Sequence, residues 1–473
     1  MTSLRLAVVL GMFLLAAPPL MAQEKSAEKP VWPKGEILKF EFKESKIYPG
    51  TVRDYNVYVP AQYDGTKDAC VYICQDGIMY NAPNVFDELI HKGEMPVTIG
   101  VFIKPGENRA SFERGLGRYN RSYEYDAVGP RYANFLLEEL LPDVETKKTS
   151  KGLPIKLSDR GTDRCMSGNS SGGVCAFTVA WEKPEQFSRV FTGVGTYVGL
   201  RGADAYATLI RKYEPKPIRV FLEDGAQDLN IYAGDWWMAN NMMLRALQFM
   251  GYEVDHAFSE DGAHNAKHAT EVFPDAMRFL WKNWPEAPKA GKASPDYQEL
   301  FYADKGWVEV TDSSTIKDLF TQPESISAHG MTLSTKAVTY SPDYSVAYQA
   351  EPTKNYINSS IVGKDGQLLY TEPYFYLHTP DDTDGSGAQG MAVDHQGYVY
   401  IATRLGVQVC DAPGRVRCIL PLPTNAPVEK LAFGGENNQM LYVTSGGKIF
   451  SRPVKRQGHR AGDAPVKQVK PRL

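Results

Sequence analysis

A chain of 473 residues, 43% hydrophobic and 23% charged, is long enough for more than one packed core and has the composition of a globular protein. Its formal net charge of -4 at pH 7 provides no excess of positive charge to hold a nucleic acid or an anionic membrane surface. Specificity must then come from a localised site.

The N-terminal residues MTSLRLAVVLGMFLLAAPPLMAQEK set Arg5 ahead of a short apolar run that Pro18 and Pro19 break and small residues close at Ala22. This is the form of a cleavable signal peptide over 1–22, and it predicts an exported protein, periplasmic or secreted. No later run approaches the roughly 18 apolar residues of a spanning helix, so no membrane association is expected after cleavage. Export permits disulfides among the six cysteines. Cys70, Cys74, Cys165 and Cys175 read as small buried residues, whereas Cys410 and Cys418, set about a DAPG turn, leave a cross-strand bridge open.

After a polar stretch to about Gly35, YNVYVP, ACVYICQDG and VTIGVFI read as strands, with FDELIHKG as a helix between the last two. The run from Lys104 to Asp126 has no sustained period and reads as a long functional loop, followed by an amphipathic helix in RYANFLLEELLPDVE. Strands and helices then alternate: FSRVFTGVGTY, AYATLIRKY, IRVFLEDGAQD, DWWMANNMMLRALQFMG, YEVDHAFSED and HNAKHATEVFPDAMRFLWKNW. Such alternation predicts an α/β domain over 31–285 built on a mostly parallel sheet with helices on both faces.

Within it, Gly168-Asn169-Ser170-Ser171-Gly172 lies between an apolar strand and a helix. A Gly-x-Ser-x-Gly turn in that setting holds its serine out on a sharp elbow at a helix N-terminus, so Ser170 is the candidate nucleophile. Catalytic groups in open α/β sheets gather beyond the carboxyl ends of strands. That rule selects Asp228, with Asp224 as competitor, and His264, with His268 and His256 as competitors. His264 would relay the serine proton and Asp228 would orient the imidazole. Backbone N–H groups of Ser171 and of Gly77 or Ile78 are the candidate oxyanion donors. Trp236 and Trp237 are read either as an aromatic substrate wall or as helix packing, and Arg121 as a contact for an anionic substrate or a solvated loop residue. No metal ligand set and no cofactor motif is present, since His264 and His268 lack a third ligand.

The segments YNVYVP, CQDG, NRSYEYD, GNSSGGVCAFTVAW, FLEDGAQDLN and GAHNAKHATEVFPDAMRFLW resemble the enterochelin esterase and feruloyl esterase branch of the α/β-hydrolases, from about Val31 to Pro285. The resemblance implies ester hydrolysis through an acyl-enzyme, with Ser170, Asp228 and His264 in the family's triad positions. It also implies a small-molecule or carbohydrate ester as substrate, of acylated-sugar, feruloyl, acetyl or siderophore type.

The stretch WPEAPKAGKASPDYQ reads as a Pro/Ala/Lys-rich linker over 286–298. Beyond it, SPDYSVAY, DHQGYVYIA and ENNQMLYVT recur among short strands and predict an all-β, incomplete propeller over 299–454, at about 40 to 45 residues per blade about four blades. These lines resemble the gluconolactonase or regucalcin-like family. Where that family carries metal ligands this chain has Lys336 with Ala337, and Gln389 with Gly390. An ammonium and an amide in those places argue against a metal-dependent lactonase. The open edges of a partial ring require covering by the esterase domain, by a second copy in a homo-oligomer or by a ligand. The basic tail, 455–473, is expected to be disordered or a surface strap.

Overall fold

The computed structural model describes residues 32–312, 314 and 316–470; the signal-peptide expectation therefore falls outside the described residues. Eight strands make the central sheet: β1 (Glu36–Phe42), β2 (Arg53–Val59), β3 (Cys70–Gln75), β4 (Thr98–Ile103), β5 (Arg164–Asn169), β6 (Arg189–Gly193), β7 (Arg219–Gln227) and β8 (Glu253–Ala263). Their spatial order is β1-β2-β4-β3-β5-β6-β7-β8, with β2 antiparallel to both neighbours and the rest parallel. Every residue of β3, β4, β5 and β6 is buried, as expected of central parallel strands covered on both faces. In β3 the side chains divide by parity: Val71 and Ile73 enter one core, while Cys70, Tyr72 and Cys74 enter the other.

The covering helices are α1 (Ala82–His91), α2 (Arg121–Tyr125), α3 (131–145), α4 (Ser171–Glu182), α5 (Tyr206–Lys212), α6 (Trp236–Phe249) and α7 (Lys267–Trp281). Helix α3 runs as its period predicts, but widens to a π turn at Leu136–Leu140 just ahead of Pro142. Proline has no N–H to donate and its ring crowds the turn before it. The long loop is more structured than its sequence suggests. It carries the short pair Glu107–Asn108 with Arg118–Tyr119, then α2, and it is fixed by a buried ion pair between Arg53 of β2 and Glu124 of α2.

The expected linker ends early. Ser294 caps α8 (Pro295–Leu300), whose Tyr297 and Leu300 already belong to the core of the second domain. That domain is all β: β9 (Val308–Glu309), β10 (Ser325–Ala328), β11 (Met331–Ser334), β12 (Thr339–Tyr340), β13 (Val346–Ala350), β14 (Tyr356–Val362), β15 (Leu368–Tyr376), β16 (Met391–Asp394), β17 (Val399–Thr403), β18 (Gly406–Cys410), β19 (Val416–Leu420), β20 (Val428–Gly434), β21 (Met440–Ser445), β22 (Lys448–Pro453) and β23 (Gly458–His459). In place of about four equal blades, the described residues form three antiparallel sheets, β12-β13-β14-β15, β19-β18-β17-β16-β23 and β9-β22-β21-β20, beside a β10-β11 hairpin. The stretch between β9 and β12 is too short for a four-stranded meander; its described residues form a 3-10 turn at Lys317–Phe320 and the hairpin.

One open edge is covered from within the chain, while the edge strand β15 keeps Tyr370 and Tyr376 exposed. Edge strand β19 lies against α5, with a parallel backbone bridge between Tyr213 and Ile419, and residues of both domains join in one apolar core. Polar contacts flank this seam: Arg452 to Glu214 at 2.5 Å, Lys212 to His378 at 3.0 Å and Arg201 to Asp381 at 3.2 Å. The described part of the basic tail is a strap. Its β23 pairs with β16, the Tyr344 hydroxyl donates to the carbonyl of Asp463, and the Val466 N–H donates to that of Pro342.

All six cysteines are free and buried. Across the strands Cys410 faces Val416, and Val409 faces Cys418; the two sulfurs enter different cores, so the bridge left open by the sequence does not form. Burial raises both thiols, that of Cys418 to about 12. The folded protein should therefore resist thiol reagents, and unfolding without reductant should release six titratable thiols. A count of four in that titration would mean that a bridge had formed.

Candidate active site

The elbow is built as the motif demands. Strand β5 ends at Asn169, Ser170 takes φ 57° and ψ -124°, and α4 begins at Ser171. A non-glycine residue in that backbone region is strained and is held there by its surroundings. The Ser170 N–H donates to Gly193 O, while its carbonyl accepts from the N–H groups of Gly173 and Thr196. Gly168 is required by the close approach of strand and helix, because a Cβ there would lie 2.4 Å from the Gly172 carbonyl.

Loops at the ends of three parallel strands bring the triad together. Ser170 Oγ lies 2.9 Å from His264 Nε2, and His264 Nδ1 lies 2.6 Å from Asp228 Oδ1. These partners assign the proton to Nδ1, leaving Nε2 as the acceptor of the serine hydroxyl. The Asp228 side chain is fully buried, while His264 keeps 24% of its side-chain surface open to solvent. Burial pushes the Asp228 carboxyl up, but hydrogen bonds from His264, from Asp224 and from the Leu229 N–H outweigh it and hold the carboxyl below its ordinary value. Asp228, rather than Asp224, is thus the acid on the histidine.

The oxyanion side narrows the sequence reading. The Gly77 N–H is already committed to Ile103 O at 3.0 Å, so Gly77 is corrected as a donor. Ile78 N–H has no hydrogen bond among the described residues, and Ser171 N–H is the orphan first donor of α4. Arg121, its side chain 37% open to solvent, is already paired. Its guanidinium grips Asp76 with two hydrogen bonds of 2.8 Å, and so ties α2 to the turn that presents Ile78. Trp236 is likewise corrected as an open wall: it is 4% exposed, donates Nε1–H to Thr196 Oγ1 at 3.2 Å and sets its ring edge-on to His264. Trp237 is half-buried against Phe258, which is the packing alternative. His256 is exposed and meets the Phe258 ring edge to face, and it is His264 that hydrogen-bonds to the serine. His268 binds Glu223 Oε1 at 2.8 Å.

Sequence reasoning missed several contributors. Thr196 Oγ1 sits 3.0 Å from Ser170 Oγ. It follows β6, so the strand-end rule that chose Asp228 and His264 also reaches it. Asp126 is buried beside Ser171; burial raises its carboxyl against the hydrogen bonds of Ser122 and Ser171. Nothing in the unpatterned loop pointed to it.

Elsewhere, a cavity of about 320 Å³ lies in the second domain, lined among others by Tyr340, Tyr344, Phe433, His459 and Arg460. Asp318 is the one carboxylate on its wall among the described residues, and no cluster of three His, Cys, Asp or Glu able to hold a metal occurs among those residues.

Residues 48–232 match the family model described as "Putative esterase", and residues 324–447 match the SMP-30/Gluconolactonase/LRE-like region. The first match lies within the α/β domain and the second within the all-β domain. Among solved structures, the chain is similar to the enterobactin esterase of Shigella flexneri, with 17% identity, a TM-score of 0.41, and coverage of 53% of this chain and 60% of that one. The chain thus spans about 60% of that relative's length. It is also similar to a ferulic acid esterase, at 16% identity, 52% and 98% coverage and a TM-score of 0.38. A third likeness is to the feruloyl esterase module from Clostridium thermocellum complexed with sinapinate, at 15% identity, 55% and 92% coverage and a TM-score of 0.39. No curated protein sequence matches the chain.

Proposed function

We propose that this chain, whose residues 48–232 match a putative-esterase model, is an exported serine carboxylic-ester hydrolase working through Ser170, His264 and Asp228. The observation that supports this most is the unbroken relay on the elbow, 2.9 Å from hydroxyl to imidazole and 2.6 Å from imidazole to carboxylate. In the first half-reaction Ser170 Oγ attacks the ester carbonyl as His264 Nε2 takes its proton. The oxyanion meets the N–H groups of Ser171 and Ile78, and the imidazolium returns the proton to the departing alcohol. Water, activated by the same imidazole, then releases the acid from the acyl-enzyme.

Apolar surface at the rim supports an aromatic or other apolar acyl group as substrate. Ile78 is 40% exposed beside its own N–H, and Ile231 and Tyr232, just past Asp228 in the chain, are exposed as well. Such a group matches the feruloyl type of ester better than an anionic one, because Arg121 is already paired with Asp76.

The test is a panel of acetyl, butyryl, feruloyl and lactone substrates, run with wild type and Ser170→Ala, each with and without a chelator. Chelator-resistant cleavage that the mutation abolishes supports the serine mechanism; lactone opening that survives it and dies with the chelator would move the chemistry to the second domain. Asp228→Asn should lower kcat by about 10^3–10^4-fold at nearly constant KM, since an amide stabilises the wrong imidazole tautomer and no imidazolium. An unchanged kcat in that variant would remove Asp228 from the triad. Export is read from the N-terminal sequence, and sequencing the protein recovered from the exported fraction should begin at Gln23; an intact Met1 there would exclude cleavage.

A further inference from the structure

Behind the triad acid lies a second carboxyl. Asp224 is fully buried on β7, four residues before Asp228, and its Oδ1 accepts the Gly225 N–H at 2.7 Å. Its Oδ2 and the Oδ2 of Asp228 are both buried, and neither has a hydrogen-bond partner among the described residues. Each carboxyl is the hydrogen-bonding neighbour that most shifts the other after burial and His264 are counted. Two carboxylates cannot bond to each other, whereas a single proton on one of them would give both orphaned oxygens a partner. Asp228 Oδ1 already accepts from the imidazole and from the Leu229 N–H, which favours the charge on Asp228 and the proton on Asp224.

We propose that Asp224 is a positioning residue of the triad: protonated at working pH, it donates its Oδ2–H to Asp228 Oδ2 and so fixes the plane in which Asp228 Oδ1 meets His264. The inference rests on the ester-hydrolase reading of the same site. No bond to substrate is made by Asp224 and no proton leaves it during turnover. The hydrogen bond leaves each oxygen of the triad acid with a partner and removes a rotation that would carry Oδ1 away from the imidazole.

The surroundings agree. Burial first, then the hydrogen bond and charge of Asp228, push the Asp224 carboxyl up to about 9. Glu223, its neighbour on the same strand, adds negative charge, though burial pushes Glu223 itself up to about 7 and His268 holds it. On one side β8 sets Phe258 in register with Asp224 and carries His264 beyond its end; on the other β6 ends at Gly193, opposite Glu223. No lysine or arginine hydrogen-bonds to Asp224 among the described residues.

The full-length protein, labelled with 13C at aspartate side-chain carboxyls, provides a test that needs no substrate. One carboxyl should keep the protonated chemical shift through neutral pH, and that resonance should vanish in Asp224→Asn. In turnover, Asp224→Asn should stay within about threefold of wild-type kcat, because its amide donates where the acid did, and should lose the alkaline fall that ionisation of Asp224 causes in wild type. Asp224→Leu should lose more than about 30-fold in kcat with KM little changed. Ionised aspartates throughout at pH 7 overturn the proposal, as does wild-type kcat in Asp224→Leu. If the leucine variant misfolds, the spectrum and pH profile of the asparagine variant decide. An absence of ester turnover in wild type would count against the esterase reading, while the spectrum would still report the state of Asp224.

Discussion

Ser170→Ala is expected to lower kcat on any ester by about 10^5–10^6-fold, with a residual rate above water from the oxyanion donors and binding alone. The relay of 2.9 and 2.6 Å has no other terminus: Thr196 Oγ1 is near enough to hydrogen-bond to the serine, yet His264 Nε2 points at Ser170. Alanine keeps a Cβ at φ 57°, so the backbone strain is unaltered and the fold should remain within about 1 kcal/mol of wild type. Rapid-mixing kinetics should show neither burst nor turnover, beside an unchanged circular dichroism spectrum. Activity within tenfold of wild type would mean that another nucleophile does the work.

Glu124→Ala should produce the largest loss of stability, about 3–5 kcal/mol, measured as the urea midpoint of the first domain. Both side chains of the Arg53–Glu124 pair are fully buried, with Nη1 at 2.7 Å and Nη2 at 3.0 Å from the carboxylate, and the guanidinium lies over the Phe135 ring. Truncating the acid strands a charged guanidinium among apolar groups, and also removes the acceptor of the Gly106 N–H. Activity should fall with stability, since α2 carries both Glu124 and the Arg121 that grips Asp76. The double variant Arg53→Met, Glu124→Leu separates the effects: stability should recover, because paired apolar side chains tolerate burial. If the single variant were as stable as wild type, the pair would not anchor the loop.

Strands with continuous apolar runs were legible in the sequence because double burial writes itself as composition, and the elbow because only small residues fit it. Strand β1 escaped notice: EILKFEF interleaves charge with apolar residues and looks like loop until its pairing with β2 is seen. The triad followed from one topological rule, strand ends converge, and the same rule failed for Gly77 because a backbone N–H carries no sequence signature of its hydrogen bond. Trp236 shows the converse limit. Aromatic residues near a site can line it or support it, and only the Nε1–H to Thr196 decides. The Asp224–Asp228 competition was a question about geometry that spacing alone leaves open, and both residues turn out to be within the same network.

The sheet β9-β22-β21-β20 joins the first strand of its domain to its next-to-last, with Glu309 opposite Phe450, and Lys448 reaches back to Glu309 across 139 positions. Sheet closure on that scale has a kinetic cost, because loop-closing entropy is lost before distant contacts return anything. During synthesis the esterase sheet can be complete while β9 still waits for its partner. The second domain is then the late folder, and until it docks, the apolar face of α5 around Tyr213 is the surface that a chaperone would find.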